Sequence, residues 1–252
     1  MKNTNRLLLA AFLLLVSAGC FAQQFNTLVF TKTAGWHHDS INAGVTAIQE
    51  IGKLHDFDVF WTEDAERVFN DEELRKYQAV IFLLTTGDVL NSAQQAAFER
   101  YIRRGGGYVG VHSASDTEYD WKWYTMLVGR MFRMHPEIQT ATVKVEERNF
   151  PGMDRFGERF LFTEEWYEFD AERTDKLHYL LTVDEQTYRP ATSKGAGMGA
   201  FHPVSWHQTY DGGRSFYTAL GHLSATYGDQ NFRHHLYGGI YWAATGKGFR
   251  AQ

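Results

Sequence analysis

Several short stretches of this sequence gather side chains able to bind a ligand or move a proton. They are Trp36-His37-His38-Asp39, then Thr86 with Asp88, then His112-Ser113 with Ser115 and Asp116, and finally His222 after Gly221. Glu164-Glu165 adds two carboxylates, followed directly by Trp166 and Tyr167. A carboxyl partly withdrawn from water has a raised pKa and suits general acid or base work. That makes Glu165, His112, His222 and Asp116 the candidate catalytic groups. Trp36, His37, His38, Asp39, Asp88, Ser113, Trp121 and Tyr167 are the candidate substrate contacts, the aromatic ones as stacking faces. His135-Pro136 and His202-Pro203 read as turns, and His234-His235 as the surface of a late helix.

Gly110-Val111-His112-Ser113-Ala114 has the spacing of a nucleophile elbow, which wants small residues two before and two after the displayed side chain. Centred on His112 both flanks are small; centred on Ser113 the preceding one is Val111. The elbow therefore displays a histidine, which suits acid, base or ligand work better than acyl transfer, and a serine hydrolase built on Ser113 ranks last. The chain holds 11 His but no His-Glu-x-x-His. A divalent metal would have to be held by dispersed ligands, His38, His112 and His222, with Glu165 nearby.

These stretches share one trait: each follows a run that reads as a strand. Thr27–Thr31, Phe57–Trp61, Ala79–Leu84 and Tyr108–His112 are apolar strands, and Ala79–Leu84 is continuous enough to be buried on both faces. Between them lie helices, one with the stripe Ile41, Val45, Ile48, Ile51 capped by Asp39 or Ser40, one over Asp71–Tyr77 capped by Asn70, and one opened by Asn91 or Ser92 and ended by Gly105. The alternation predicts a doubly wound, mostly parallel α/β sheet, with an elaborated second half of strands near 140–147, 160–162, 177–183, 200–207 and 215–219 and a final helix over 232–244. In such a sheet ligands bind beyond the carboxyl ends of the strands. His38, Asp88, His112 and His222 are expected to line one pocket there.

Lys2 and Arg6, the apolar run Leu7–Val16 and the small residues Ser17, Ala18 and Gly19 read as a secretory signal peptide over residues 1–22, cleaved after Ala22. Lipid attachment at Cys20 is the lesser alternative, because Ser17 stands where a lipobox has Leu. The run is too short for a spanning helix of about 20 residues. The expected location is periplasmic or secreted, with a single domain over 23–252. Cys20 is the only cysteine, so a processed chain has no disulfide and no thiolate nucleophile. A net charge of -5 without a long basic run argues against nucleic acid. The expected partner is a small molecule, and a homo-oligomer is compatible with the composition.

The same stretches resemble the trehalose-utilisation (ThuA-like) family, a branch of the class I glutamine-amidotransferase-like fold. The resemblance rests on Gly35 to Ile41, Gly105 to Thr117, Glu164 to Tyr167, Pro203 to Trp206 and Gly213 to His222. It implies a flavodoxin-like sheet and a role in disaccharide breakdown, often beside sugar dehydrogenases, hence an oxidised (keto) sugar as substrate. The motif positions it carries over are His38, Asp39, His112, Asp116, Glu165, Tyr167 and His222. The amidotransferase cysteine is absent, with His112 at that elbow, so glutaminase activity is not expected. His37 stands where the family pattern has Arg. A non-catalytic sugar-binding protein using Trp36, Trp121 and Tyr167 is the alternative to an enzyme.

Overall fold

The computed structural model describes residues 23–192 and 194–249. The leader and Cys20 lie outside the described residues. The first half runs β1 (Asn26–Phe30), α1 (Ile41–Leu54), β2 (Asp58–Thr62), α2 (Ala65–Val68), α3 (Asp71–Leu74), β3 (Ala79–Leu83), α4 (Ser92–Arg103) and β4 (Gly107–Val111). The second half runs α5 (Lys122–Val128), β5 (Phe132–Met134), β6 (Gln139–Val145), β7 (Arg159–Glu164), β8 (Glu168–Phe169), β9 (His178–Val183), β10 (Pro203–Tyr210), β11 (Gly213–Thr218) and α6 (Gln230–Thr245).

Nine strands form one sheet in the order β2-β1-β3-β4-β11-β10-β9-β6-β7, and β5 pairs with β8 apart from it. The first five are mutually parallel. Their order is that of a flavodoxin-like, doubly wound sheet. The remaining pairs are antiparallel and make up the elaborated half. β3 and β4 are buried along their whole length, as their unbroken apolar sequence requires. α1 buries its predicted stripe, and one hydrophobic cluster reaches from Phe25 through both halves to Ala244. Among the described residues no helix is long and apolar enough to cross a membrane.

Local details correct the sequence reading at several points. Neither Asp39 nor Ser40 caps α1: Ser40 sits at the cap position with no capping bond, and its hydroxyl donates instead to the Gly221 carbonyl at 3.2 Å. The interior bond displaces the local one because it ties two site loops together. Asn70 and Asn91 cap as expected, the latter in a full capping box with Gln94. The helix after Asn70 stops at Leu74 rather than reaching Tyr77. α5 was not anticipated. Its last carbonyls, at Met126, Leu127 and Val128, accept from Gln208, Ser215 and Trp206 of the sheet, so it is held by tertiary contacts that leave no local signal.

His235 is not on the surface but fully buried, against Phe216 and Phe156, with Nε2 at 3.2 Å from Ser205 Oγ. Burial, aided by neighbouring His234, drives its pKa down to about 3; burial and stacked His178 drive His207 down to about 4. Both are therefore neutral in the folded protein, while an unfolded histidine titrates near ~6.5. Below that pH the unfolded state binds more protons, so stability present above it is lost as pH falls toward the folded values. Between pH 6.5 and 5 the unfolding free energy should drop by about 2 kcal/mol for each of the two. Urea midpoints measured across this range test the point. A slope that His207→Phe and His235→Phe leave unchanged would assign the acid sensitivity elsewhere.

Candidate active site

The loops at the carboxyl ends of β1, β3, β4 and β11 leave the parallel half on one edge, and they converge. β4 ends at Val111, and His112 follows with φ 52°, in the left-handed region that a β-carbon disfavours. A single 3₁₀ turn, His112–Ser115, begins there. The small residue before the elbow is required: a β-carbon at Gly110 would lie 2.6 Å from the Tyr108 hydroxyl oxygen. His112 is the displayed residue, as the spacing predicts, and it is completely buried.

The His112 ring is fixed at both ends. Nδ1 donates to the Ala219 carbonyl at 2.8 Å, and Nε2 lies 3.1 Å from His222 Nδ1 and 3.5 Å from Glu165 Oε2. A carbonyl only accepts, so the proton of the neutral ring is on Nδ1 and Nε2 presents a lone pair. His222 Nδ1 is also 3.1 Å from Glu165 Oε2. His38 stands edge-on to both, its ring centre 5.0 Å from that of His112 and 5.3 Å from that of His222. Ser113 Oγ lies beneath it, 3.4 Å from His38 Nδ1. One donor atom from each of His38, His112, Glu165 and His222 lies within 4.8 Å of the others.

Glu165 comes from the other half of the sheet, four strands away from β11. Strands in a flat sheet are about 4.8 Å apart, so the ends of β7 and β11 would be separated by roughly 19 Å. Instead Glu164 Oε1 accepts from the Gly221 amide at 2.8 Å and from the Thr226 hydroxyl at 2.6 Å. Glu164 Oε2 accepts from the His222 and Glu165 amides, each at 3.2 Å. The antiparallel half must curl over the strand ends, and Glu164 ties it down. Gly221 has φ 123°, and a β-carbon there would meet the Tyr227 hydroxyl oxygen at 2.7 Å, so only glycine fits this turn.

The two adjacent glutamates have opposite electrostatics. Burial pushes the Glu164 carboxyl up, and its hydrogen bonds offset this only in part. Burial also works to raise Glu165, but hydrogen bonding and charge from the His112 and His222 rings win and hold it below the usual carboxylate range. This reverses the expectation that Glu165 has a raised pKa. For His222, burial opposes the charged ring, yet Glu165 and nearby Glu164 and Asp39 raise its pKa above the ordinary value. His38 is pushed down to about 3, by burial first and then by His112 and His222. Asp116 is raised by burial, with the Tyr119 hydroxyl donating to its Oδ1 at 2.8 Å.

These groups open on a cavity of about 470 Å³ lined by Trp36, His38, Asp116, Phe132, His135, Glu165, Tyr167 and His222. That is within the roughly 300–1,000 Å³ usual for small-molecule sites. Trp36 is 72% exposed at the mouth, and the Tyr167 ring packs 4.1 Å from His112 and 4.2 Å from Phe132. A cavity of about 530 Å³ at the opposite edge, beside Gln49, Lys53 and Asp58, contains none of the strand-end residues.

Of the residues singled out from sequence, His38, His222, Glu165, Asp116, Tyr167 and Trp36 line it, with His112 and Ser113 buried behind them. Asp88 does not: it is exposed and outside the cavity, on the Glu118 side of its turn. His37 and Asp39 are also exposed and do not line it; His37 Nδ1 lies 3.2 Å from Thr33 Oγ1. Trp121 is a packing residue. It precedes α5, stacks on Trp123 and Tyr124, and donates to Glu99 at 3.1 Å. Two groups were missed. His135 is indeed in a turn, its Nδ1 2.8 Å from the Pro136 carbonyl oxygen, but the same atom is 3.1 Å from Glu165 Oε1. Glu164 reads in the sequence only as half of a carboxylate pair.

The ThuA family model, described as trehalose utilisation, matches residues 26–243. No curated protein matches the sequence. Among solved structures, a ThuA-like protein from Bacteroides uniformis ATCC 8492 is 21% identical with a TM-score of 0.72, covering 87% of this chain and 91% of its own. A second, from Parabacteroides merdae ATCC 43184, is 18% identical with a TM-score of 0.72, covering 90% and 92%. A cytoplasmic protein from Salmonella typhimurium LT2 is 11% identical with a TM-score of 0.62, covering 86% and 99%. At these identities the likeness is one of fold.

Proposed function

Because this chain belongs to the ThuA family, whose description is trehalose utilisation, we propose that it is an enzyme acting on an oxidised (keto) sugar or disaccharide met outside the cytoplasm. The observation that carries this reading is the His112 ring, buried and clamped by the Ala219 carbonyl so that an Nε2 lone pair stands directly behind His222 and Glu165, which line the cavity. Such a lone pair can take the proton on the carbon next to a ketone. The electron pair moves to the carbonyl oxygen, which His222 is placed to stabilise by donating from its ring. The enolate then expels the oxygen on the following carbon, or is reprotonated on its other face, with Asp116 across the cavity as the second proton carrier. Elimination and isomerisation both begin with that first step, and net hydrolysis follows when water adds to the enone that elimination leaves. Glu165, held ionised, orients His222 and is the weaker base.

The test is turnover by the purified chain of keto-disaccharides against their unoxidised parents. Consumption of the keto form alone supports the reading; tight binding of either sugar without turnover favours a sugar-binding protein. The exposed Trp36 face favours a sugar ligand in both cases. Trp36→Ala should raise KM about tenfold with kcat nearly unchanged, since stacking acts on substrate and transition state alike. A fall in kcat with KM unchanged would place Trp36 in the chemistry instead.

A further inference from the structure

His112 Nε2, His222 Nδ1 and Glu165 Oε2 form a triangle with edges of 3.1, 3.1 and 3.5 Å. Hydrogen bonding alone does not satisfy it. In a neutral His112 ring the one proton is committed to the Ala219 carbonyl, so Nε2 is an acceptor, as is Glu165 Oε2. Only one proton, on His222 Nδ1, is available to serve both, and the 3.5 Å edge has none. His38 then adds another imidazole donor to this cluster.

We propose that His38, His112, His222 and Glu165 hold a divalent cation of the zinc class. Bonds of about 2.0–2.1 Å from zinc to N and O ligands at a tetrahedral angle place ligand atoms about 3.3–3.4 Å apart, and the three edges bracket that separation. His38 closes the fourth position by a small rotation, since its donor atom is already within 4.8 Å of the others. Three imidazoles with one carboxylate suit zinc, iron or manganese better than calcium or magnesium, which take oxygen. The ligands are themselves held, as those of metal sites usually are. The Ala219 carbonyl fixes His112, His135 Nδ1 reaches the other oxygen of Glu165, and Ser113 Oγ adjoins His38 Nδ1. The ion would face the cavity, where a substrate carbonyl oxygen can become a further ligand and be polarised. Proton transfer then passes from His112 to Asp116.

The cation's role in turnover rests on the enzyme reading above; its binding does not. The experiment uses the chain without a polyhistidine tag, stripped with chelator and dialysed, then titrated with Zn²⁺ by calorimetry, with bound metal counted by elemental analysis. One equivalent per chain is expected, with a melting temperature several degrees higher when zinc is in excess. Glu165→Gln and His222→Ala, checked for fold by circular dichroism, should each weaken zinc at least about tenfold. Less than a tenth of an equivalent bound, or binding that neither variant weakens, overturns the site. Keto-sugar turnover on the same samples separates the two readings. Turnover by metal-free protein, unmoved by added zinc, overturns the cation's role in turnover and leaves the acid–base reading. One zinc bound without turnover keeps the site and overturns the enzyme.

Discussion

Replacing His112 by alanine should lower turnover of the keto-sugar substrate by about 100-fold or more while the sugar still binds. Two features concentrate the effect in this one side chain. Its Nε2 lone pair faces His222 and Glu165, which line the cavity, because Nδ1 is committed to Ala219. It also sits between His222 and Glu165, so its loss removes a proton acceptor and unbalances the two groups beside it. Isothermal titration with an unreacted sugar gives the binding constant, and steady-state kinetics give kcat. The elbow backbone already accepts φ 52° with a β-carbon in place, and alanine adds no bulk to that β-carbon, so the fold should survive. Partial recovery of rate on adding free imidazole would identify the lost group as the imidazole itself. Undiminished turnover would remove His112 from the mechanism.

The largest expected loss of stability is at Glu164. Its carboxylate is fully buried and receives two amide N–H groups and a hydroxyl from other parts of the chain, besides the Glu165 amide. Glu164→Ala leaves those donors without partners and opens a void, at a cost of about 3 kcal/mol or more. Glu164→Gln should cost about 2 kcal/mol despite its matching shape, because its amide nitrogen would face donors where an oxygen now accepts. Urea unfolding of the three proteins at pH 7 measures this. Losses below about 1 kcal/mol in both variants would mean that water readily replaces the carboxylate and that it does not tie the two halves of the sheet together.

Much of this site is visible in the sequence because parallel strands export their functional groups to one edge. Once Thr27–Thr31, Ala79–Leu84 and Tyr108–His112 are read as strands, the rule about carboxyl ends selects His38 and His112, and the late strand selects His222. What the rule cannot do is choose among neighbours within a loop. Asp88, His37 and Asp39 follow strands too, yet their turns aim them at solvent. At two other positions the sequence does carry a readable signal. Phe160, Phe162 and Glu164 alternate, so period two places Glu164 on the inward face and turns Glu165 out of the strand into the loop. Phe232, His235, Leu236, Gly239 and Ile240 form a helical stripe that includes His235. His135 had no local signal, because its position depends on β5 pairing with β8 and on the curl of the second half.

That curl also bears on when the site comes into being. Its loops are drawn from both ends of the chain: Ser40 bonds Gly221, 181 residues away, and His112 meets His222 across 110. Contacts of such separation are costly in loop entropy and slow to form. No fragment that ends before β11 contains the site, and no folding intermediate with the antiparallel half still open can close it. Any ligand of the cavity therefore binds the finished molecule and not its precursors, so at a hundred times its dissociation constant it would add about 2.7 kcal/mol against global unfolding. Occupancy of this cavity is thus a direct report that β11 and the loop after it have docked on the rest of the fold.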